Sequence, residues 1–401
     1  MAKLMSENFR WFAFAAELKD PRRDHLKRHP LVNIVTISLC AIVCGATDWV
    51  DIAGFGENYS GWFEEYLDLT AGVPSHDTFR RVFAMLDPVE FDMAMSKWLS
   101  RLREVTLKAT EQVAIDGKVL KSSFDQAGLT QPWLMVSAWT TEHGMVLGQQ
   151  GADGETGELN ATHDLLERLD LKKRLVSLDA LGCQKDIAEK IVEKQGDYLL
   201  SLKANHPLLE AAVRARFAED LQSDDCYQVH DRDHAFTVDS SHGRVTTRQC
   251  FVLREMKELP GIQEWKEVKA AVLVATTQDR PKRRRKKTQA ERQETKGYRL
   301  FLTSRDMSAQ EYLQAVRNHW LIENQVHWSL DVTFGEDASR LRKDHGPSNL
   351  AILRRITLSL LKADPSKGSI KFKRKLAAWN QHKLLQFLGL VKPNPDKPRT
   401  K

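Results

Sequence analysis

The sequence predicts an α/β protein with an all-helical N-terminal domain, and two observations carry that reading. Residues 1–108 repeat apolar positions at helical spacing, and from Val113 short apolar runs alternate with helical segments. In the first region, Asp87-Pro88-Val89-Glu90 has an N-cap residue, a proline at the first helical position and an acid two further on. It opens a helix through Phe91, Met95, Trp98 and Leu99. Pro74-Ser75 starts another helix, with Phe79, Val82, Phe83 and Leu86 on its apolar side and Arg80 and Arg81 between them. A small bundle is expected, with a DNA-binding helix pair as the functional option. The apolar stretch Leu31 to Ala46 is broken by Asn33, Thr36 and Ser38 and falls short of about 20 residues, so it reads as a buried core helix.

Beyond residue 108 the expected order is strand (ending at Asp116), strand (Trp133 to Thr140), strand (Met145 to Gln149) and helix (Leu159 to Leu169). A strand ending at Asp179, a helix (Ile187 to Glu193) and a strand to Leu202 follow. Three strands, helix, strand, helix, strand is the order of a ribonuclease-H-like core, a mixed sheet with flanking helices. Residues 205–297 interrupt it as a strand-rich insertion with a basic loop. Residues 298–362 complete the core with a strand and a long helix capped by Ser308, and 363–401 form a basic C-terminal tail. The first part of the core therefore spans 109–204.

Among 401 residues, 42% are hydrophobic and 28% charged, the make-up of a globular protein rather than a disordered or fibrous one. The net charge of +6 is unevenly placed: 365–401 carry +9, Lys282 to Lys287 carry +6, and the remainder is acidic. Concentrated basic segments on an acidic body point to a polyanion partner. Five cysteines without a CxxC pair argue against a disulfide framework and a thiolate zinc site, and the N-terminus has no signal-peptide pattern. A cytoplasmic protein, nucleoid-associated when bound to DNA, is the expectation.

Asp116 and Asp179 end strands that would be neighbours, and side chains converge on ligands at strand ends of open sheets. Either aspartate alone reads as an ordinary turn residue. In the segment Arg317 to Trp328, positions four apart form a polar stripe of His319, Glu323 and His327. A helix carboxylate added to two strand-end aspartates makes an oxygen-rich set suited to Mg²⁺ or Mn²⁺. Two such ions support in-line attack on a phosphodiester. Zinc held by the two histidines and Glu323 does not match HExxH spacing. Asp331, Glu336 and Asp337 are alternative third acids, Asp331 reading better as a structural or supporting one. For phosphate contact the candidates are Lys118, Lys121, Lys203, Arg244, Lys282, Arg283, Arg284, Arg285, His319 and His327, each set against a merely solvated or structural role. Trp320 and Trp328 are candidates for base stacking or core packing.

Together these blocks resemble the H-repeat-associated insertion-sequence transposases, a branch of the bacterial DDE superfamily. The resemblance runs from about Asp20 to Leu361. It is carried by Pro74 to Phe83, Ile115-Asp116-Gly117-Lys118, Asp179-Ala180-Leu181-Gly182-Cys183-Gln184, His242-Gly243-Arg244, and His319 to Asn324 with Asp331-Val332 and Glu336-Asp337. It implies that Asp116, Asp179 and Glu323 are the acidic triad, holding two Mg²⁺ or Mn²⁺ ions. The implied reaction is cleavage at the element's terminal inverted repeats followed by strand transfer into target DNA, by a homodimer on double-stranded DNA. A nuclease without strand transfer and a silent DNA-binding relic are the alternatives.

Two departures stand out. The wider group's Tyr, Arg and Lys around the third acid are here Val316, His319 and Leu330. The Lys-Ser-Asn-Glu-like sequence of close relatives is here Glu155-Thr156-Gly157-Glu158.

Overall fold

The structure, a computed structural model, describes residues 18–103, 111–123, 132–222, 233–241, 244–281 and 292–391. In chain order the helical region contains α1 (Leu31–Cys44), α2 (Trp49–Asn58), α3 (Ser60–Phe63), α4 (His76–Met85) and α5 (Pro88–Arg103). The alternating region contains β1 (Gln112–Val119), β2 (Trp133–Thr140), β3 (Val146–Asp153), α6 (Gly154–Arg168), β4 (Leu175–Leu178), α7 (Lys185–Glu193), β5 (Asp197–Leu202) and α8 (Pro207–Gln222). Strands β6 (His234–Ser241), β7 (Arg244–Leu253), β8 (Ala270–Pro281) and β9 (Arg292–Thr303) follow. The chain then forms α9 (Ala309–His319), a π-helical segment (Glu323–His327), α10 (Trp328–Val332), α11 (Gly346–Ala363), α12 (Ile370–Trp379) and α13 (Gln381–Phe387).

The chain divides into two compact units that cut across the linear boundaries the sequence suggests. One comprises 1–107, 117–165 and 322–401; the other comprises 108–116 and 166–321. Strand β1 contributes to both, changing units between Asp116 and Gly117.

In the first unit α1 is buried on all sides, which explains its nearly continuous apolar sequence. Two of its three polar interruptions have partners: Ser38 Oγ donates to the Ile34 carbonyl at 2.8 Å, and Asn33 Nδ2 donates to the Asp68 carbonyl. Asp87 caps α5 as its sequence predicts, its Oδ1 accepting from the amides of Val89 and Glu90 at 2.8 and 3.0 Å. The central helix is α11, buried from Gly346 to Leu361 and packed on α1, α4, α5 and β3. Asn349 Nδ2 ties it to the carbonyls of Phe83 and Leu86 at the end of α4. Strand order here is β3-β2-β1, with β2 and β3 antiparallel.

The described part of the basic C-terminal segment is not a free tail. It folds into α12 and α13, and two of its cations point inward. Lys373 Nζ donates to the carbonyls of Leu361 and Asp364 at 2.9 and 2.7 Å. Arg374 donates to the carbonyls of Ile42, Ala46 and Thr333, and its guanidinium lies over Phe334. Helix C-termini leave carbonyls outside the intrahelical ladder, and these two cations donate at the ends of α11 and α1.

The second unit is a mixed sheet in the order β1-β4-β5-β9-β8-β7-β6. Strands β1, β4 and β5 are parallel and the remaining pairings antiparallel. The strands expected as an inserted module instead extend this sheet. Residues Leu300–Thr303 of β9 pair with Leu199–Leu202 of β5, while β9 pairs along its length with β8. Continuing the sheet covers the edge that β5 would otherwise expose. Helix α9 packs on β6 and β7 through Tyr312, Leu313 and Val316, against Leu175, Leu199, Val272 and Phe301.

Candidate active site

Parallel pairing of β1 with β4 fixes the first relationship. Gln112, Val113 and Ala114 stand opposite Leu175, Val176 and Ser177. Continued by two residues, the same register brings Asp116 level with Asp179 on neighbouring segments about 4.8 Å apart. Asp179 directly follows β4, but β1 runs on past Asp116 to Val119, so the strand expected to end at Asp116 is three residues longer. Asp116 is half-buried and Asp179 exposed. Asp179 also does what a turn aspartate does: its Oδ1 accepts from the amides of Leu181 and Gly182 at 3.0 and 3.3 Å. That turn is braced from below by residues the sequence reading did not single out. Asn205 Nδ2 donates to the carbonyls of Ala180 and Cys183, and His206 Nε2 lies 2.7 Å from the Cys183 carbonyl.

Behind the strand ends runs a buried polar chain. Gln112 Nε2 donates to Ser177 Oγ at 2.9 Å and to the Ala315 carbonyl, and Ser177 Oγ lies 3.1 Å from His319 Nδ1. Burial pushes the His319 pKa down to about 4, against the opposing pull of the Asp179 charge. A buried, neutral His319 is therefore part of this interior chain, and its placement favours a structural role over the phosphate contact considered for it. Beside it, the Arg299 guanidinium lies 4.0 Å from the centre of the Trp320 ring, a cation–π contact that covers one face of the indole.

Glu323 belongs to the first unit. The sequence predicts one uninterrupted helix from Ser308, yet α9 ends at His319, and the chain widens into a π-helical turn that starts at Glu323. Wide turns of this kind are rare and concentrate at functional sites. Glu323 is exposed on it, and Gln325 Oε1, one step beyond Asn324, accepts from the half-buried Lys362 Nζ at 2.8 Å. Trp328, 59% exposed at the start of α10, is open to stacking. Burial, reinforced by the cations Arg355 and Lys118, pushes the His327 pKa down to about 3.

Lys118 takes a different part from the one its sequence suggests. It is buried, and its Nζ lies 2.7 Å from Asp331, 2.8 Å from Asp337 and 3.8 Å from Glu336. Engaged by three carboxylates, it is an internal tether, so its placement supports that role over a phosphate contact. Lys121 is exposed and joins Asp337 at 2.7 Å. Glu336 is fully buried on Arg355, which sequence reasoning missed because an arginine in an apolar helix pattern carries no signal of its partner. The three alternative third acids are thus all held by cations of the same unit.

Of the remaining cations, Lys203 is exposed after β5 and Arg244 is exposed at the start of β7. Arg80 is turned onto Asp77. Lys282, Arg283, Arg284, Arg285 and the rest of that run lie outside the described residues, as do His242 and Gly243. Among the described residues, no three His, Cys, Asp or Glu side chains converge closely enough to hold an ion. The three proposed acids are nonetheless all carboxylates, the donor chemistry a hard divalent cation requires. Also among the described residues, no single helix is long and apolar enough to cross a membrane.

Residues 12–99 match the family described as DDE_Tnp_1-associated, and residues 108–360 match the Transposase DDE domain. The chain is 35% identical over 369 residues to the putative transposase YncI of Escherichia coli O157:H7, covering 92% of this chain and 91% of that one. It is 31% identical over 377 residues to the H repeat-associated putative transposase YhhI of Escherichia coli K12, covering 93% and 96%. A third relative, the putative protein YbfL of the same strain, is 31% identical over 375 residues, covering 93% and 96%. Matched along almost its whole length, this chain belongs to the H-repeat-associated branch of the DDE transposases.

Proposed function

We propose that this transposase hydrolyses a phosphodiester at each end of an insertion element and transfers the resulting 3′ end directly to target DNA. In the first step water attacks phosphorus and the 3′ oxygen leaves as a hydroxyl. In the second, that hydroxyl attacks a target phosphodiester and displaces its 3′ oxygen, with no covalent protein–DNA intermediate. The observation that supports this reading is the β1–β4 register, which, continued by two residues, puts Asp116 level with Asp179. Strand order β3-β2-β1 in one unit and β1-β4-β5 in the other supports a ribonuclease-H-like core.

Asp116, Asp179 and Glu323 are the residues proposed to hold two divalent cations, Mg²⁺ or Mn²⁺. When bound, such cations make the attacking oxygen more nucleophilic and offset the charge that builds up around phosphorus. The chain's own contribution is to fix carboxylates within β1, just after β4 and on a helix, where backbone hydrogen bonding limits their drift. The exposed Lys203 and Arg244, together with the basic sequence of 282–287, supply sequence-independent attraction to DNA phosphates. Because two ends must be cut and joined, a homodimer is the proposed working form.

The test uses a plasmid carrying the element's ends and the full-length protein. Asp116→Ala, Asp179→Ala and Glu323→Ala are each expected to abolish strand cleavage while DNA affinity stays within about threefold. Unchanged Mg²⁺-dependent cleavage in any one removes that residue from the site. Joined products bearing a short target duplication support strand transfer, whereas cut ends alone reduce the activity to a nuclease.

A further inference from the structure

We infer that Lys118 is a positioning residue that sets the place of the Glu323 helix by gripping Asp331; this rests on the proposed role of Glu323 at the reaction centre. Lys118 follows Asp116 by two residues on β1, and residues two apart on a strand share a face. It is buried, and of the three carboxylates around its ammonium the nearest are Asp331 at 2.7 Å and Asp337 at 2.8 Å, with Glu336 farther off at 3.8 Å. The surrounding charges are matched: Arg355 holds Glu336 at 2.6 Å and Lys121 holds Asp337 at 2.7 Å. Asp331 is thereby the carboxylate that depends most on Lys118.

Asp331 lies eight residues after Glu323 on the same helical run. At 3.6 residues per turn, eight residues of α-helix would leave the two acids about 80° apart around the axis. The π-helical turn from Glu323 to His327 advances less per residue and so brings them closer to one face. Lys118 therefore grips the helix on the side that carries Glu323, two turns along. Lys362, bonded to Gln325 inside the wide turn, holds the same segment from α11. A shift of the Lys118–Asp331 pair would be passed to Glu323 by a rigid helix. A lysine whose work is only to stabilise the fold would have no such link.

The experiment compares Asp331→Asn, Asp331→Glu and Glu323→Gln in the full-length protein. It records thermal midpoint, DNA affinity, Mn²⁺ binding by electron paramagnetic resonance, and the Mn²⁺ dependence of cleavage. Asp331→Asn should keep DNA affinity within about twofold while raising half-saturating Mn²⁺ at least tenfold in both binding and cleavage. Asp331→Glu, which keeps the charge but lengthens the arm, should raise it at least threefold. That second variant decides the matter if the asparagine protein does not fold. Mn²⁺ binding within twofold of the wild type in a folded variant of Asp331 overturns the inference. If Glu323→Gln also leaves Mn²⁺ binding and cleavage unchanged, the triad reading itself has failed. If Glu323→Gln alone abolishes them, only the positioning role is lost.

Discussion

Arg355 and Glu336 form a two-pronged ion pair in the interior, Nη1 to Oε1 at 2.6 Å and Nη2 to Oε2 at 3.3 Å, with both side chains completely buried. The Arg355 Nε also donates to Ser137 Oγ at 3.1 Å, linking α11 to β2. Such a pair recovers its desolvation cost only while both partners are present. Arg355→Met should therefore lower stability by about 3–5 kcal/mol, by leaving the Glu336 charge stranded. The double variant Arg355→Met with Glu336→Met should regain most of that loss. Urea unfolding of the four proteins of the cycle reads it; a double variant no more stable than Arg355→Met would refute the stranded-charge explanation.

Burial of His327, reinforced by the charges of Arg355 and Lys118, shapes how the fold responds to acid. With its pKa near 3 in the folded chain and near 6.5 when unfolded, His327 is neutral in the native state across the physiological range. Below pH 6.5 the unfolded chain binds a proton that the folded chain refuses. Stability is therefore lost as pH falls from about 6.5 towards 3, by up to about 4 kcal/mol from this group. His327→Asn should show a shallower fall in melting temperature over that window and no change above pH 7. A variant whose acid limb parallels the wild type would place the pH dependence elsewhere.

Local chemistry made much of this fold legible in the sequence. The Asp87 cap, the buried Leu31 helix and the apolar runs that lead to Asp116 and Asp179 each have a signal contained within a few residues, although β1 continues past Asp116 to Val119. Partners far apart in the chain have none. Nothing around Lys118 announces that Asp331 and Asp337 will close on it. Likewise, Lys373 and Arg374 read as part of a basic tail until carbonyls at Leu361 and Ile42 are seen to need them. The wide turn at Glu323 is illegible for a related reason: apolar spacing reports the face a helix buries, and a single extra residue in one turn hardly alters it.

The two basic segments should separate in their dependence on salt. Arg374 is occupied by the carbonyls of Ile42, Ala46 and Thr333, so Arg374→Gln should cost about 1.5–3 kcal/mol of stability and leave the salt slope of DNA binding unchanged. Neutralising all six of Lys282 to Lys287 should lower that slope by up to about 5 if every one meets a phosphate, with no change in melting temperature. Titrations at several salt concentrations measure both. An unchanged slope in the second variant would make the run a solvated loop.

Gly117 separates Asp116 from Lys118, and its missing side chain matters. A Cβ added there would stand 2.2 Å from Glu158 Oε1 and 2.7 Å from Cδ, far inside contact distance. Glu158 is the last residue of the segment in which the relatives' Lys-Ser-Asn-Glu pattern is altered, and it keeps the acid. Its carboxylate is the flexible end of a side chain, so Gly117→Ala should displace Glu158 rather than unfold the protein, at a cost of about 1–3 kcal/mol. Removing the obstacle should remove the cost: in a Glu158→Ala background the same glycine substitution should be close to neutral, giving a coupling energy of at least 1 kcal/mol, or about fivefold in the folding equilibrium. Additive effects of the two substitutions would mean that the carboxylate does not rest on Gly117.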